Sequence, residues 1–470
     1  LVAALLCIVG AAAVAGAMYP GARVPLALGA VGVAGFWGAT RRLDAFVFLF
    51  ATFLFVEGFL KNAYPYPLTF FLRDIMLGAL YLAWFFQYPA RYGFRGRYDG
   101  PAAAAVVGFG FYVVVLTVVP FSAEPLLYRL GGARWWLAYL PLFFVGADCL
   151  GRRDRFDRLW LVIVVVGVGA AAYGIVQYLV GFDHLFKVSP YFERAVNFSQ
   201  FYGVDAPQAL RRRVFGTFSM PGNFAAALFV AGLGAIAYGT FAARKKTAAL
   251  FFAGAAVILV ALALTGCRTS YIPLIIAAVI FAVAARRRKV LPTVMALVVV
   301  AVIAVAYVSQ GVYLYRLNLV FDWHYTWDRV YNPWASAAAV AAEHPFGLGI
   351  GSSAKVGGIF VEEGWRSGFI LVESGFGQAL TTFGWPGLIL FTALLVVIPA
   401  RLAAMARGRG RERWRAATVF AFCAATLFPM MVDMVLYHGV WPAAYWLSAG
   451  AATAVFGRRG GEPHAGGVRV

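Results

Sequence analysis

The stretch "RKKTAALFFAGAAVILVALALTGCRTSYIPLIIAAVIFAVAARRRK", residues 244–289, decides the fold. It holds two apolar runs, 246–265 and 270–285, close to the length of about 20 residues that a helix needs to cross the hydrocarbon core of a bilayer. Only a short polar turn separates them, and basic clusters stand outside them at Arg244–Lys246 and Arg286–Lys289. Lysine and arginine accumulate in cytoplasmic loops. The stretch therefore reads as a membrane hairpin with both ends inside and its turn outside.

Worked outward, the same pattern covers the chain. Its 470 residues are 62% hydrophobic and 13% charged, whereas soluble domains run at about 45–50% and about 25%. On the length scale of a span there are about fourteen candidates, near 1–18, 22–40, 43–60, 69–88, 101–120, 134–149, 159–180, 215–242, 246–265, 270–285, 290–308, 369–400, 416–436 and 439–456. The first has no cationic leader and no clear cleavage site, so it reads as a span rather than a signal peptide. The run over 369–400 is long enough to include a surface turn. Every second connection is basic: Arg41–Arg42, Arg91/Arg95/Arg97, Arg152/Arg153/Arg155/Arg158, Arg244–Lys246, Arg286–Lys289, Arg401 to Arg415, and Arg458–Arg459. These clusters carry most of the net charge of +20, so membrane lipids are expected as partners and nucleic acid is not. The expectation is an all-α polytopic membrane protein with both termini cytoplasmic.

The division expected is N-terminal transmembrane helices over 1–180, a first long external loop over 181–214, central transmembrane helices over 215–308, a large external cap loop over 309–368, C-terminal transmembrane helices over 369–456 and a cytoplasmic tail over 457–470. Aromatic density, as in "FDWHYTWDRVYNPW", argues that the cap is folded, with 334–343 ("WASAAAVAAE") as the best candidate for a surface helix. The four cysteines, Cys7, Cys149, Cys267 and Cys423, are scattered singly; neither a metal site nor a disulfide framework is expected.

Four outward-facing stretches carry candidate chemistry. In "QALRRRVFGTFSMPGNFAAALF", 208–229, Arg211, Arg212 and Arg213 stand where positive charge is normally sparse. They read either as headgroup anchors or as an anion clamp, with Gly216, Pro221 and Gly222 breaking the helix so that backbone N–H groups face a ligand. Asn223 follows as a neutral polar group. In "LTGCRTSYIPL", 264–274, Arg268 occupies a tight external turn among the hydroxyls of Thr265, Thr269, Ser270 and Tyr271, which favours a cavity over lipid. The alternating glycines of "EHPFGLGIGSS", 343–353, read as a close-packed turn rather than a nucleotide loop. Finally "LVESGFGQALTTFGWPGLIL", 371–390, sets Glu373 above Ser374, Gly375, Gly377, Gln378, Thr381 and Thr382. Helix N-terminal stabilisation explains the acid; a catalytic carboxylate beside a substrate cavity would explain the polar face as well. Arg73–Asp74 with Glu57, and Asp433 with His438, read by default as structural pairs.

Over 208–400 these stretches, in this order, resemble the O-antigen ligase/polymerase family of bacterial envelope glycosyltransferases. The matching features are the arginine before "GTFSMPGNF", the "CRTSY" turn, the external loop ending in "HPFGLGIGS", and "ESGFGQALTTFGWPGLILF". The resemblance implies a GT-C-like helical bundle with an external cap in the bacterial plasma membrane. It also implies a cofactor- and metal-independent transfer of a glycan from undecaprenyl pyrophosphate to an acceptor sugar hydroxyl, on the face away from the cytoplasm. Ligases of the family act on lipopolysaccharide core, and polymerases act on the next lipid-linked repeat unit with a chain-length regulator as a candidate partner. Ligases typically carry a His-Asn pair where this chain has Glu373–Ser374, which favours the polymerase branch. In that reading Glu373 is the catalytic base, Arg211, Arg213, Arg268, Tyr271 and Asn223 bind substrate, and Arg213 and Arg268 converge on the donor pyrophosphate. Arg329 and Arg366 approach from the cap, where Trp323, Tyr325, Trp327 and Tyr331 suit sugar stacking. The competing classes are a flippase or transporter of a lipid-linked glycan, and a non-catalytic assembly factor.

Overall fold

The computed structural model describes residues 42–64, 67–92, 98, 100–119, 125–198, 213–287, 290–308, 323–352, 372–408, 413–437 and 439–456. Among them there is no strand. The α-helices of six or more residues, in chain order, are α1 Leu43–Ala63, α2 Pro67–Gln87, α3 Pro101–Val118, α4 Leu126–Leu137, α5 Leu142–Cys149, α6 Arg153–Val180, α7 Asp183–Val188 and α8 Phe192–Phe198. They continue with α9 Pro221–Phe241, α10 Lys245–Leu264, α11 Arg268–Ala284, α12 Val290–Val308, α13 Trp323–Glu343, α14 Gly375–Arg407, α15 Arg413–Met430 and α16 Val440–Phe456. Seven described helices, α1, α3, α6, α9, α10, α12 and α14, are long and apolar enough to cross a membrane. The first two expected spans and the C-terminal tail lie outside the described residues.

Three expected spans are broken. The run 134–149 divides into α4 and α5 around Tyr139–Pro141: Pro141 has no N–H to donate, and turn bonds from Leu140 N to Leu137 O and Leu142 N to Tyr139 O carry the chain round. The span expected over 215–242 becomes helical only at Pro221, which occupies the first helical turn. That is a position proline suits because its missing donor is unneeded there. α14 is 33 residues long, about 50 Å at 1.5 Å per residue, and it kinks at Gly384, whose φ is 66° and ψ −164°.

α9 is the centre of the bundle, apolar on all sides and buried along most of its length. In lipid, helices associate by close packing rather than by escape from water, and aromatic contacts supply much of it here. Phe229 on α9 stacks on Trp441 of α16 at 4.3 Å, whose indole N–H donates to Thr426 Oγ1 of α15 at 3.0 Å.

Polar bonds knit the two ends of the bundle separately. At one end Asp157 of α6 accepts two bonds from Arg415 at 2.7 and 2.6 Å and one from the Tyr238 hydroxyl at 2.7 Å. Nearby Arg413 donates to Ala285 O at 3.3 Å and Arg155 meets Asp44 at 3.7 Å. The described basic clusters thus share one end. The candidate catalytic and donor-binding residues of the described chain occupy the other.

Candidate active site

The segment before α9 has to cross between helices without helical hydrogen bonds of its own, so every polar backbone group there needs a partner from the protein. Phe215 N and Gly216 N both donate to Gln177 Oε1 at 3.0 Å, and Val214 N donates to Leu264 O at 3.2 Å. Thr217 O accepts from Phe59 N at 2.7 Å, while its hydroxyl donates to Phe55 O. This approach requires Gly58, because a Cβ there would overlap the backbone of Phe218 and Ser219. The helix break expected from Gly216 and Pro221 therefore forms, but its N–H groups at 214–216 are taken by the protein rather than turned to a ligand. Sequence reasoning missed Gln177, although a fully buried amide in an otherwise apolar span is itself a signal.

This segment carries Arg213 to the turn before α11. Its Nε donates to Thr265 O at 2.7 Å and its Nη2 to Cys267 Sγ. The turn is tightened from within by Thr265 Oγ1, which donates to Leu262 O at 2.6 Å and accepts from Cys267 N at 3.2 Å. Arg268 is the next residue and the first of α11, with Tyr271 one turn further and packed against the core. Arg213 and the Arg268 turn are thus joined directly, and at least two of the five guanidinium donors of Arg213 are spent on holding that turn. Asn223 lies in the first turn of α9, partly buried. Arg211 lies outside the described residues.

Glu373 is exposed one residue before the N-cap of α14. Ser374 caps that helix, accepting from Gly377 N at 3.1 Å and donating to Met430 O at 3.3 Å. That bond draws the C-terminus of α15 and the following Asp433 toward the same helix start; Asp433 Oδ1 accepts from Met434 N at 2.6 Å. His438 lies outside the described residues.

The polar face beneath Glu373 has a different partner from the cavity expected for it. Gln378, Thr381 and Thr382 are buried, and Gln378 Nε2 donates to Thr382 Oγ1 at 3.0 Å. The kink at Gly384 and Pro386 releases the carbonyls just before it from the helical ladder. Leu348 N takes Thr381 O at 2.8 Å and Gly349 N takes Thr382 O at 3.0 Å. The Tyr112 hydroxyl of α3 takes Phe383 O at 3.2 Å, and Trp385 N answers to Pro345 O at 3.0 Å. The "HPFGLGIG" loop is therefore the close-packed turn expected from its glycines, seated in the break of α14.

α13 contains the expected 334–343 and starts eleven residues earlier, at Trp323. Trp323, Trp327 and Tyr331, at helical i, i+4 spacing, are exposed; Trp327 stacks on Tyr331 at 4.3 Å, and Trp323 lies tilted against Trp327 at 5.3 Å. Trp334 ties the helix to the site, donating to Met431 O at 3.2 Å and lying 6.2 Å from Phe376. Arg329 belongs to α13, but its side chain, like that of Tyr325 and the whole of Arg366, lies outside the described residues.

Next to this end, Glu57 of α1 meets Lys61 and lies 3.6 Å from Arg73 of α2. Asp74 is held by Arg134 of α4, with Nε at 3.0 Å. The Arg73 guanidinium sits 5.8 Å from the Tyr139 ring centroid, and the Tyr139 hydroxyl accepts from Gly439 N at 3.0 Å. These groups are structurally paired as expected, but the partners differ: Arg73 turns to Glu57, and Asp74 is held by Arg134, which with Lys61 the sequence reading did not assign. Each carboxylate faces two cations or a two-point guanidinium contact, the arrangement that offsets desolvation.

Arg268, the glycine loop and Glu373 follow one another in the second half of the sequence. Residues 253–392 match the family model described as O-Antigen ligase. The match takes in the "CRTSY" turn, the glycine loop and the start of α14, and it begins after the Arg213 segment. It covers less than half of the chain and supports the O-antigen ligase/polymerase family without separating the two branches. Together with the seven apolar helices it marks a multi-pass membrane protein. The comparison with curated proteins returns no match.

Proposed function

We propose that this chain is a polymerase of lipid-linked repeat units of a bacterial surface polysaccharide, transferring a glycan from undecaprenyl pyrophosphate to an acceptor sugar hydroxyl. The observation that carries the reading is the union of Arg213 with the turn that bears Arg268, at the end of the bundle where Glu373 opens α14. Arg268 is the guanidinium that meets the pyrophosphate, and Arg213 both contributes charge and holds the turn in register. As the bond from the anomeric carbon to the pyrophosphate oxygen breaks, the leaving group takes the electron pair, and fixed cations stabilise the charge that develops there. The acceptor oxygen attacks the same carbon from the opposite face, and its proton passes to Glu373. One carboxylate and one displacement give inversion. In this reading about fourteen spans cross the membrane, the basic end faces the cytoplasm, and the exposed aromatic row of α13 supplies sugar-stacking surface under the cap.

Purified protein given a lipid-linked repeat unit should build a ladder of longer glycans. Glu373→Gln should lower the rate by about 10²–10⁴-fold while keeping donor binding and folding. Wild-type turnover in that variant would remove the carboxylate from the chemistry. The family description favours one second reading, transfer to lipopolysaccharide core. A single product on a core acceptor, with no ladder on lipid-linked units, would establish that branch instead.

A further inference from the structure

The opposite end of the bundle carries a cleft that the proposed reaction does not use. It has a volume of about 860 Å³ and opens between the C-terminal ends of α9 and α11 and the N-terminal parts of α10 and α12, lined among others by Thr240, Phe252, Val283, Arg286, Arg287 and Thr293. Its wall is apolar one turn into the bundle, and its mouth is cationic.

The backbone at that mouth is unusual. α11 ends in a motif in which Arg287 N donates to Ala282 O at 2.9 Å and Arg286 N to Val283 O at 3.1 Å. The residue that makes this reversal adopts a left-handed conformation, and glycine normally fills it. Here it is Arg286, with φ 53°, and among the described residues no other non-glycine has a positive φ. A side chain kept where it strains the backbone points to a use for that side chain. Arg287 is oriented independently, its guanidinium 5.3 Å from the Phe241 ring centroid, and Phe241 itself is stacked at 5.0 Å on Trp414. Among the described residues neither arginine meets a carboxylate.

We propose that this cleft binds an anionic phospholipid, its phosphate held by Arg286 and Arg287 and an acyl chain lying along Phe252 and Val283. Two neighbouring guanidiniums match a phosphodiester in charge and in fork geometry. The apolar wall selects for a lipid over a free anion, because a soluble phosphate would leave Phe252 and Val283 facing water. Basic pockets between membrane helices bind acidic headgroups by this combination.

The test uses the full-length protein, delipidated in neutral detergent and supplied with phosphatidylglycerol, phosphatidylcholine or inorganic phosphate. Native mass spectrometry should show phosphatidylglycerol retained in preference to phosphatidylcholine, and the thermal midpoint should rise with phosphatidylglycerol alone. Arg286→Gly removes the guanidinium and relaxes the strained backbone, so the variant should fold at least as well as wild type. Arg287→Gln tests the second cation separately. Each should weaken phosphatidylglycerol retention by about fivefold and the pair by about 25-fold, with the midpoint in phosphatidylcholine preserved. Equal retention of the two lipids by wild type, or unchanged phosphatidylglycerol retention in the paired variant, would overturn the proposal. So would inorganic phosphate matching the lipid's effect, which would leave a small-anion site only.

Discussion

At Gln177 a single buried amide oxygen accepts hydrogen bonds from Phe215 and Gly216, and through them sets the path of the segment that delivers Arg213 to the Arg268 turn. Replacing it with leucine keeps the bulk and orphans two buried N–H groups. Each orphaned group costs about 1–3 kcal/mol. Gln177→Leu should therefore lower the thermal midpoint of the purified protein and also raise KM for the lipid-linked donor, because the arginine segment loses its anchor. A variant that unfolds earlier but binds donor normally would restrict Gln177 to stability. Arg213 carries the same double character, so its substitution is a weaker test of anion binding than that of Arg268.

At the scale of elements, α14 works as two helices joined by a designed interruption. Its first part, down to Phe383, is a buried polar half-helix; the rest runs on as an apolar span. The joint exists because Gly384 adopts a conformation closed to other residues and because the 345–349 loop satisfies the carbonyls that the kink frees. A Cβ at Gly384 would overlap Pro345 O and the backbone of Phe346. Gly384→Ala should thus cost about 1–3 kcal/mol from the backbone conformation alone, and more from the displaced loop. Limited proteolysis should then open the 343–352 segment before the rest of the chain, and activity should fall with it. Wild-type resistance and activity in Gly384→Ala would show that the loop is not held by this joint.

Over the whole molecule, charge separates by end. The described basic clusters are drawn together at one end by Asp157, Arg413 and Arg415, while the loop around Ser352 and the start of α14 lie at the other. Positive charge is retained on the cytoplasmic side, so a cysteine at Ser352 should react with an impermeant reagent in intact spheroplasts. A cysteine at Lys245 should react only after permeabilisation. The native cysteines of the described chain, Cys149, Cys267 and Cys423, are buried, which keeps the background low. Labelling in the reverse order would invert the topology and remove the proposed site from the outer face.

The sequence by itself determined that this is a helical membrane protein, roughly where its helices run, and which stretches are polar where lipid would make them apolar. Those features are local: hydropathy over about 20 residues, basic loops and proline or glycine breaks can all be read along the chain. It also located Arg268 and Glu373, since an ionisable group at a span end needs an explanation. Only the tertiary structure decided what each polar group faces. It gave the carbonyls of Thr381 and Thr382 to the glycine loop, the N–H groups of Phe215 and Gly216 to Gln177, and two of the donors of Arg213 to the turn before Arg268. These partners lie far apart in sequence, and no periodicity along a single helix encodes them. They are chosen by the requirement that polar groups inside a membrane protein be paired by other parts of the same fold.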